Sequence, residues 1–247
     1  MATEPQPIFR LVSEDWRVPS RWAALVADEE RHYYWSDDWS PEFYAGQAAA
    51  GFIAVTWTDG MGTLLLPELQ TGYAVLDWPD LHVGRTVRRR LRDGELSLVW
   101  NPDPAPVLDR LAELRGSRSW IRPPYRDVLV QLAQHPLDGV RVFGIELWKG
   151  GALAAGELGY TVGATYTSLS GFVDPAAPFA GLGTAQLVLL ARDLERKGYA
   201  FWNLGHPHME YKFALGAHFE PRRRFLERWA AAVRRQPSSD SSSASGS

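Results

Sequence analysis

Between Gly144 and Gly171 the chain reads GIELWKGGALAAGELGYTVGATYTSLSG, an alternating, apolar-rich run broken at Gly150-Gly151 and Val162-Gly163. Alternation at period two predicts strands, and glycines at the breaks supply the positive φ that tight hairpin turns require. Residues 140–172 therefore read as successive β-hairpins. A helix over residues 184–197 follows, stopped by Gly198, and residues 199–203 form a further strand. Hairpins, then a long helix, then a strand confine the second half of the chain to an α+β fold.

The first half alternates short elements. A helix is expected around residues 22–30, and Asp38 or Ser40 caps a second whose first turn holds Pro41 and Glu42. It should end near Gly51, before a strand over residues 52–57, a turn at Asp59-Gly60 and a return strand over 62–69. Residues 72–77 and 96–100 read as strands. Residues 81–92, LHVGRTVRRRLR, read as a helix with Leu81, Val83, Val87 and Leu91 on one face. Further helices are expected to about residue 114, over 122–134 and over 224–234, with GHPHMEYKFALGA as loop plus short helix. The organisation predicted is a small α+β N-terminal domain (1–80), a larger domain (81–235) and a Ser-rich disordered tail (236–247).

A formal charge of −3 argues against a non-specific nucleic-acid binder, although a local basic patch remains compatible with it. The chain has no cysteine, which removes disulfides, thiolate nucleophiles and Cys-based metal sites. No apolar run approaches the ~18 residues of a membrane span. A cytoplasmic monomer without bound cofactor or metal is the expectation. The eleven tryptophans fit core packing first, and a stacking surface for a base second.

Three constellations carry chemistry. Arg85, Arg88, Arg89, Arg90 and Arg92 crowd one helix, either as its solvated face or as phosphate contacts. GHPHMEY gathers His206, His208, Glu210 and Tyr211, better placed for proton transfer than for a metal, since no third ligand stands at a telling spacing. FAGLGTAQ before a helix offers Gly181 and Gly183 to a pyrophosphate, with Pro178 weakening the pattern.

Four blocks in order resemble one family, the leucyl/phenylalanyl-tRNA–protein transferases: LHVGRTVRR, RGSRSWIRPPY, GIELWKGGALAAGELG and LGAHFEPRRRFL. The resemblance spans most of residues 33–230. It implies a C-terminal domain like that of the GCN5-related acetyltransferases (GNAT-like), preceded by the smaller α+β domain. The activity implied moves a Leu- or Phe-type amino acid from aminoacyl-tRNA to a protein N-terminal amine. Trp120 would then meet the terminal adenosine, and the arginine helix the acceptor-stem phosphates, extended by Arg222, Arg223 and Arg224. Tyr166, Leu169 and Tyr211 would contact the substrate.

The working positions depart from the family. Its strand glutamate, in G-E-S-M-F-S, falls on Leu169, and its D-C-Q falls on Asn203-Leu204-Gly205, followed by His206. Leucine can neither accept a hydrogen bond nor take a proton. Glu157 stands where the family usually has an apolar residue, and a Val162-Gly163 turn would bring it onto one face with Ser168 and Ser170. Hairpin parity puts Leu169 on the opposite face unless a bulge intervenes. Glu157, Ser168, Ser170, Asn203 and His206 are thus the catalytic candidates. Two alternatives stay open: an acyl-CoA-dependent GNAT N-acyltransferase, and a non-catalytic tRNA-binding homologue.

Overall fold

The computed structural model of the chain describes residues 8–92, 95–176 and 181–237. Most of the Ser-rich tail and most of the loop before Gly181 lie outside these residues.

The chain enters through β1 (Phe9–Arg10), α1 (Glu14–Arg17), α2 (Pro19–Ala27) and β2 (Tyr34–Trp35), with β1 and β2 parallel. Helix α3 (Pro41–Ala49) is capped by Ser40, whose Oγ accepts from the Phe43 N–H at 3.2 Å, and Pro41 opens its first turn. A hairpin follows, β3 (Ile53–Asp59) with β4 (Gly62–Glu68), and its turn is held by Asp59 Oδ1 accepting from the Met61 and Gly62 N–H groups. After these come β5 (Gly72–Leu76), α4 (Arg85–Arg92), β6 (Leu96–Asn101), α5 (Ala105–Arg115) and α6 (Pro123–Gln134).

The hairpin region forms β7 (Val140–Lys149), β8 (Ala152–Val162) and β9 (Thr165–Val173), followed by α7 (Leu182–Arg196) and β10 (Phe201–Gly205). The chain closes with α8 (Glu210–Ala214), β11 (His218–Pro221) and α9 (Arg222–Ala232). Seven strands make one sheet in the order β11-β5-β10-β9-β8-β7-β6. Strand β5 sits between β10 and β11, so a strand from before residue 80 belongs to the large sheet.

Every neighbouring pair in this sheet is antiparallel except β9 and β10, which α7 connects as a crossover. Their parallel pairing is short: Phe201 faces Thr165, Trp202 faces Tyr166, Asn203 faces Thr167, and there it stops. Beyond Thr167, β9 pairs only with β8. The sheet is therefore split where β9 and β10 part.

Both faces are covered. On one, Leu158, Tyr160, Val142 and Phe201 pack with residues of α3, α5, α6 and α9. On the other, Ile145, Tyr166 and Trp202 pack under α7, with Val87 of α4 in the same cluster.

Three differences between the structure and the sequence reading bear on the sheet and the basic surface. The helix expected from residue 81 begins at Arg85. Residues 78–80 form a 3-10 turn, and the His82 N–H donates to the Leu215 carbonyl at 2.8 Å, so Leu81 and Val83 pack from a non-helical segment. Strand β11 is an addition to the expected elements; it is four residues long and defined by pairing with β5 from the first half of the chain, which no local pattern announces. Arg222 does not extend a basic surface. It is 1% exposed, and its guanidinium donates to the carbonyls of Leu25, Asp28, Arg31, Leu69 and Gln70, tying α2 and the segment before β5 to the start of α9. Arg223 and Arg224 are exposed.

Candidate active site

A cavity of about 540 Å³ occupies the split between β9 and β10. Its walls come from β8 and β9 (Glu157, Ser168, Leu169, Ser170), the loop before α6 (Trp120), the end of β10 (Leu204, His206) and α8 (Tyr211, Lys212).

A bulge builds the β9 wall. Leu158 pairs with Ser170 and Gly159 with Ser168, which leaves Leu169 as the extra residue. Simple parity would send Leu169 to the face away from Glu157. The bulge instead lets Ser168, Leu169 and Ser170 all reach the cavity.

Glu157 is the chemical centre of this wall. Its side chain is buried, and its Oε1 accepts from the Tyr166 hydroxyl at 2.9 Å and the Ser168 hydroxyl at 2.7 Å. Ser168 Oγ in turn accepts from the Trp202 indole N–H at 2.8 Å. Burial pushes the Glu157 carboxyl up to about 7; the Ser168 and Tyr166 hydrogen bonds and the charge of Lys212 pull the other way. A carboxyl near 7 can take and return a proton at neutral pH.

Lys212 has no counterpart among the residues singled out from sequence. It is 4% exposed and lines the cavity, and its Nζ donates to the carbonyls of Leu204 at 2.5 Å and His206 at 2.8 Å. Burial lowers its ammonium to about 8, partly offset by Glu157. The available signal was its rarity: the chain has three lysines, and this one lies on a short helix beside Leu215.

His206 also lines the cavity. Its Nε2 lies 2.8 Å from Glu68 Oε2, a buried carboxylate at the end of β4, and its ring is 5.9 Å from that of His208. Trp120 is half-buried at the cavity wall, edge-on to Tyr125. Tyr211 is exposed at the cavity, and Arg115 donates to the Gly171 carbonyl at 3.0 Å on its edge.

Two candidates take other roles. Tyr166 is fully buried beneath Glu157 and does not line the cavity, so it holds the carboxyl rather than touching a substrate. Asn203 is 1% exposed and spends its amide internally, Nδ2 on Thr167 Oγ1 at 3.3 Å and Oδ1 on the Gly205 N–H at 2.9 Å. It fixes the end of β10 and does not line the cavity, so it is not placed to orient an amine there.

The arginine helix presents one basic face. At 100° per residue Arg85, Arg88, Arg89 and Arg92 fall within one arc, and all four are exposed, while Val87 is buried and Arg90 is half-buried off that arc. None of the five lines the cavity. Of the glycine loop, Gly181 caps α7 in a left-handed conformation and Gly183 lines the cavity; Pro178 and Phe179 lie outside the described residues. Asp77, Asp80 and His218 bring ligand-type atoms within 4.8 Å of one another, but Arg228 already pairs with Asp77.

Within this α+β fold the sheet splits at its parallel pair, and a buried carboxyl and a buried lysine line the cavity in the split. Among solved structures, a GCN5-related N-acetyltransferase from Kribbella flavida is similar at 12% identity, covering 87% of this chain and 75% of that one, with a TM-score of 0.35. The family model for leucyl/phenylalanyl-tRNA protein transferase matches residues 75–230. A leucyl/phenylalanyl-tRNA–protein transferase from Anaeromyxobacter sp. (strain K) is 31% identical over 236 residues, 92% of each chain. One from Stutzerimonas stutzeri (strain A1501) is 28% identical over 188 residues, 74% of each chain. The chain belongs to the leucyl/phenylalanyl-tRNA–protein transferase family. Among the described residues no helix is long and apolar enough to cross a membrane.

Proposed function

We propose that this protein moves an amino acid from the 3′ end of an aminoacyl-tRNA to the N-terminal α-amine of a protein or peptide, with Glu157 handling the proton. The observation that carries the reading is the buried Glu157 carboxyl, held near neutrality by its surroundings inside the cavity at the strand split. The acceptor amine attacks the ester carbonyl and forms the C–N bond, and its proton passes to Glu157. The C–O bond to the ribose then breaks, and Glu157 returns the proton to the leaving 3′-oxygen.

Ser168 fixes the carboxyl through its own hydroxyl, and Ser170 and His206 line the space the reacting groups enter. Trp120 gives the terminal adenine a stacking partner, and Leu169 and Tyr211 offer apolar contact to a Leu- or Phe-type side chain. The exposed face of Arg85, Arg88, Arg89 and Arg92, with Arg90 beside it, meets acceptor-stem phosphates. The protein acts as a cytoplasmic monomer. Comparing Glu157→Gln with the unaltered protein in single-turnover transfer tests the assignment: a rate loss of about 100-fold is expected, and an unchanged rate would contradict it.

A further inference from the structure

We propose that Lys212 is a catalytic residue, the hydrogen-bond donor that stabilises the oxyanion formed during transfer; the assignment rests on the aminoacyl-transfer reading above. Three observations carry it. The side chain is almost fully buried and lines the cavity. Its two hydrogen-bond partners are neutral carbonyls, Leu204 and His206, both at the end of β10. Among the described residues no carboxylate forms an ion pair with it.

An ammonium has three N–H groups, and Lys212 uses two of them on the protein. Placing such a cation against uncharged oxygens in a low-dielectric site is unfavourable, Glu157 offsets that only in part, and further negative charge beside it is stabilising. The reaction supplies that charge. When the acceptor amine adds to the ester carbonyl, the π electron pair moves to the carbonyl oxygen, and the third N–H donates to that oxygen. On collapse the pair returns to re-form the carbonyl and the bond to the ribose 3′-oxygen breaks. The proton released from the amine travels through Glu157 to that oxygen. Lys212 stays an ammonium throughout, so charge and protons balance.

Lys212 lies on α8, which begins at Glu210 after the 206–208 loop and Met209. Leu215 and Ala217 anchor the segment in the α7-side core, which turns Lys212 toward the end of β10. A purely structural role, stapling α8 to β10, makes a different prediction, and the experiment separates the two.

Single-turnover transfer from charged tRNA to a peptide is measured for the unaltered protein, Lys212→Met and Lys212→Ala. Oxyanion stabilisation predicts a loss of about 100-fold or more in the transfer rate. The KM for aminoacyl-tRNA should stay unchanged, and ethylammonium should partly restore the rate of Lys212→Ala. A folded Lys212→Met protein transferring at the normal rate overturns the assignment alone. So does a rate that ethylammonium leaves unmoved. Absence of transfer by the unaltered protein overturns the aminoacyl-transfer reading and the assignment with it. A second measurement needs no variant. An adenosine analogue with an anionic phosphonate in place of the ester carbonyl should bind the unaltered protein at least about tenfold more tightly than its neutral amide counterpart, and equal binding overturns the assignment.

Discussion

The hydroxyl of Tyr166 occupies the space in which a side chain at Gly159 would begin. A Cβ built on Gly159 would lie 2.1 Å from that oxygen and 2.4 Å from the ring carbon bearing it. Gly159 shares a face with Glu157, two residues away on β8, while Tyr166 comes from β9 opposite Thr161. The missing side chain lets the tyrosine lie along the strand and reach the carboxyl at 2.9 Å. The same device recurs further along β8, where a Cβ at Gly156 would meet the Phe172 ring at 2.5 Å.

Gly159→Ala should therefore displace Tyr166 and break its bond to Glu157. Overpacking of this kind typically destabilises by about 1–3 kcal/mol. Chemical denaturation checks the stability, and transfer rate should fall with it. Tyr166→Phe keeps the packing and removes only the bond, so the Glu157 carboxyl should titrate higher than in the unaltered protein, as carbon-detected NMR can show.

Glu157 also sets a pH dependence of stability. Its folded-state value, about 7, lies above the unfolded 4.5, so the neutral form favours folding. That contribution is fully present below about pH 4.5 and is lost as pH rises through about 7. A rise of this size corresponds to roughly 3 kcal/mol. Glu157→Gln, which stays neutral, should match the unaltered protein near pH 4.5 and exceed it in stability at pH 8. Equal stability at both pH values would contradict a buried, raised carboxyl.

The exposed arc of α4 makes a salt prediction. Replacing Arg85, Arg89 and Arg92 with Gln should weaken tRNA binding and reduce the slope of log K against log salt by about 0.9 for every phosphate no longer neutralised. An unchanged slope would remove α4 from the tRNA surface.

Arg222 predicts the opposite pattern. Arg222→Leu leaves the carbonyls of Asp28, Arg31, Leu69 and Gln70 without their donor in a buried region, at about 1–3 kcal/mol for each group left unsatisfied. The unfolding midpoint in urea should fall sharply, while the salt slope of tRNA binding in any folded fraction stays the same.

Local pattern made β7, β8, β9 and α7 legible in the sequence, because each is long, periodic and bounded by glycine or a tight turn; it set β10, five buried residues, two residues early. It could not place β5 in the large sheet or reveal β11, since both depend on partners far away in the chain. Within the site, counting from the turn puts Glu157 and Ser168 on one face, as their hydrogen bond shows, although across the strands Glu157 pairs with Gly171 and Ser168 with Gly159. Counting does not reveal the bulge at Leu169, because an extra residue leaves the alternation of TYTSLSG unchanged. Asn203 and Tyr166 were legible as polar groups near the site, but whether an amide or hydroxyl is already spent on a neighbour is visible only in three dimensions. Lys212 escapes a sequence reading for the converse reason: a lysine on a five-residue helix reads as solvated, and here the end of β10 buries it.

The most direct test follows the donor. A peptide with N-terminal Arg or Lys is incubated with the protein and either a mixture of charged tRNAs or acetyl-CoA, and the product is weighed by mass spectrometry. The account predicts a gain of one amino-acid residue, of Leu or Phe type, from charged tRNA and no gain from acetyl-CoA. An acetyl increment from acetyl-CoA, or tRNA binding with no aminoacylated peptide from any charged tRNA, would contradict it.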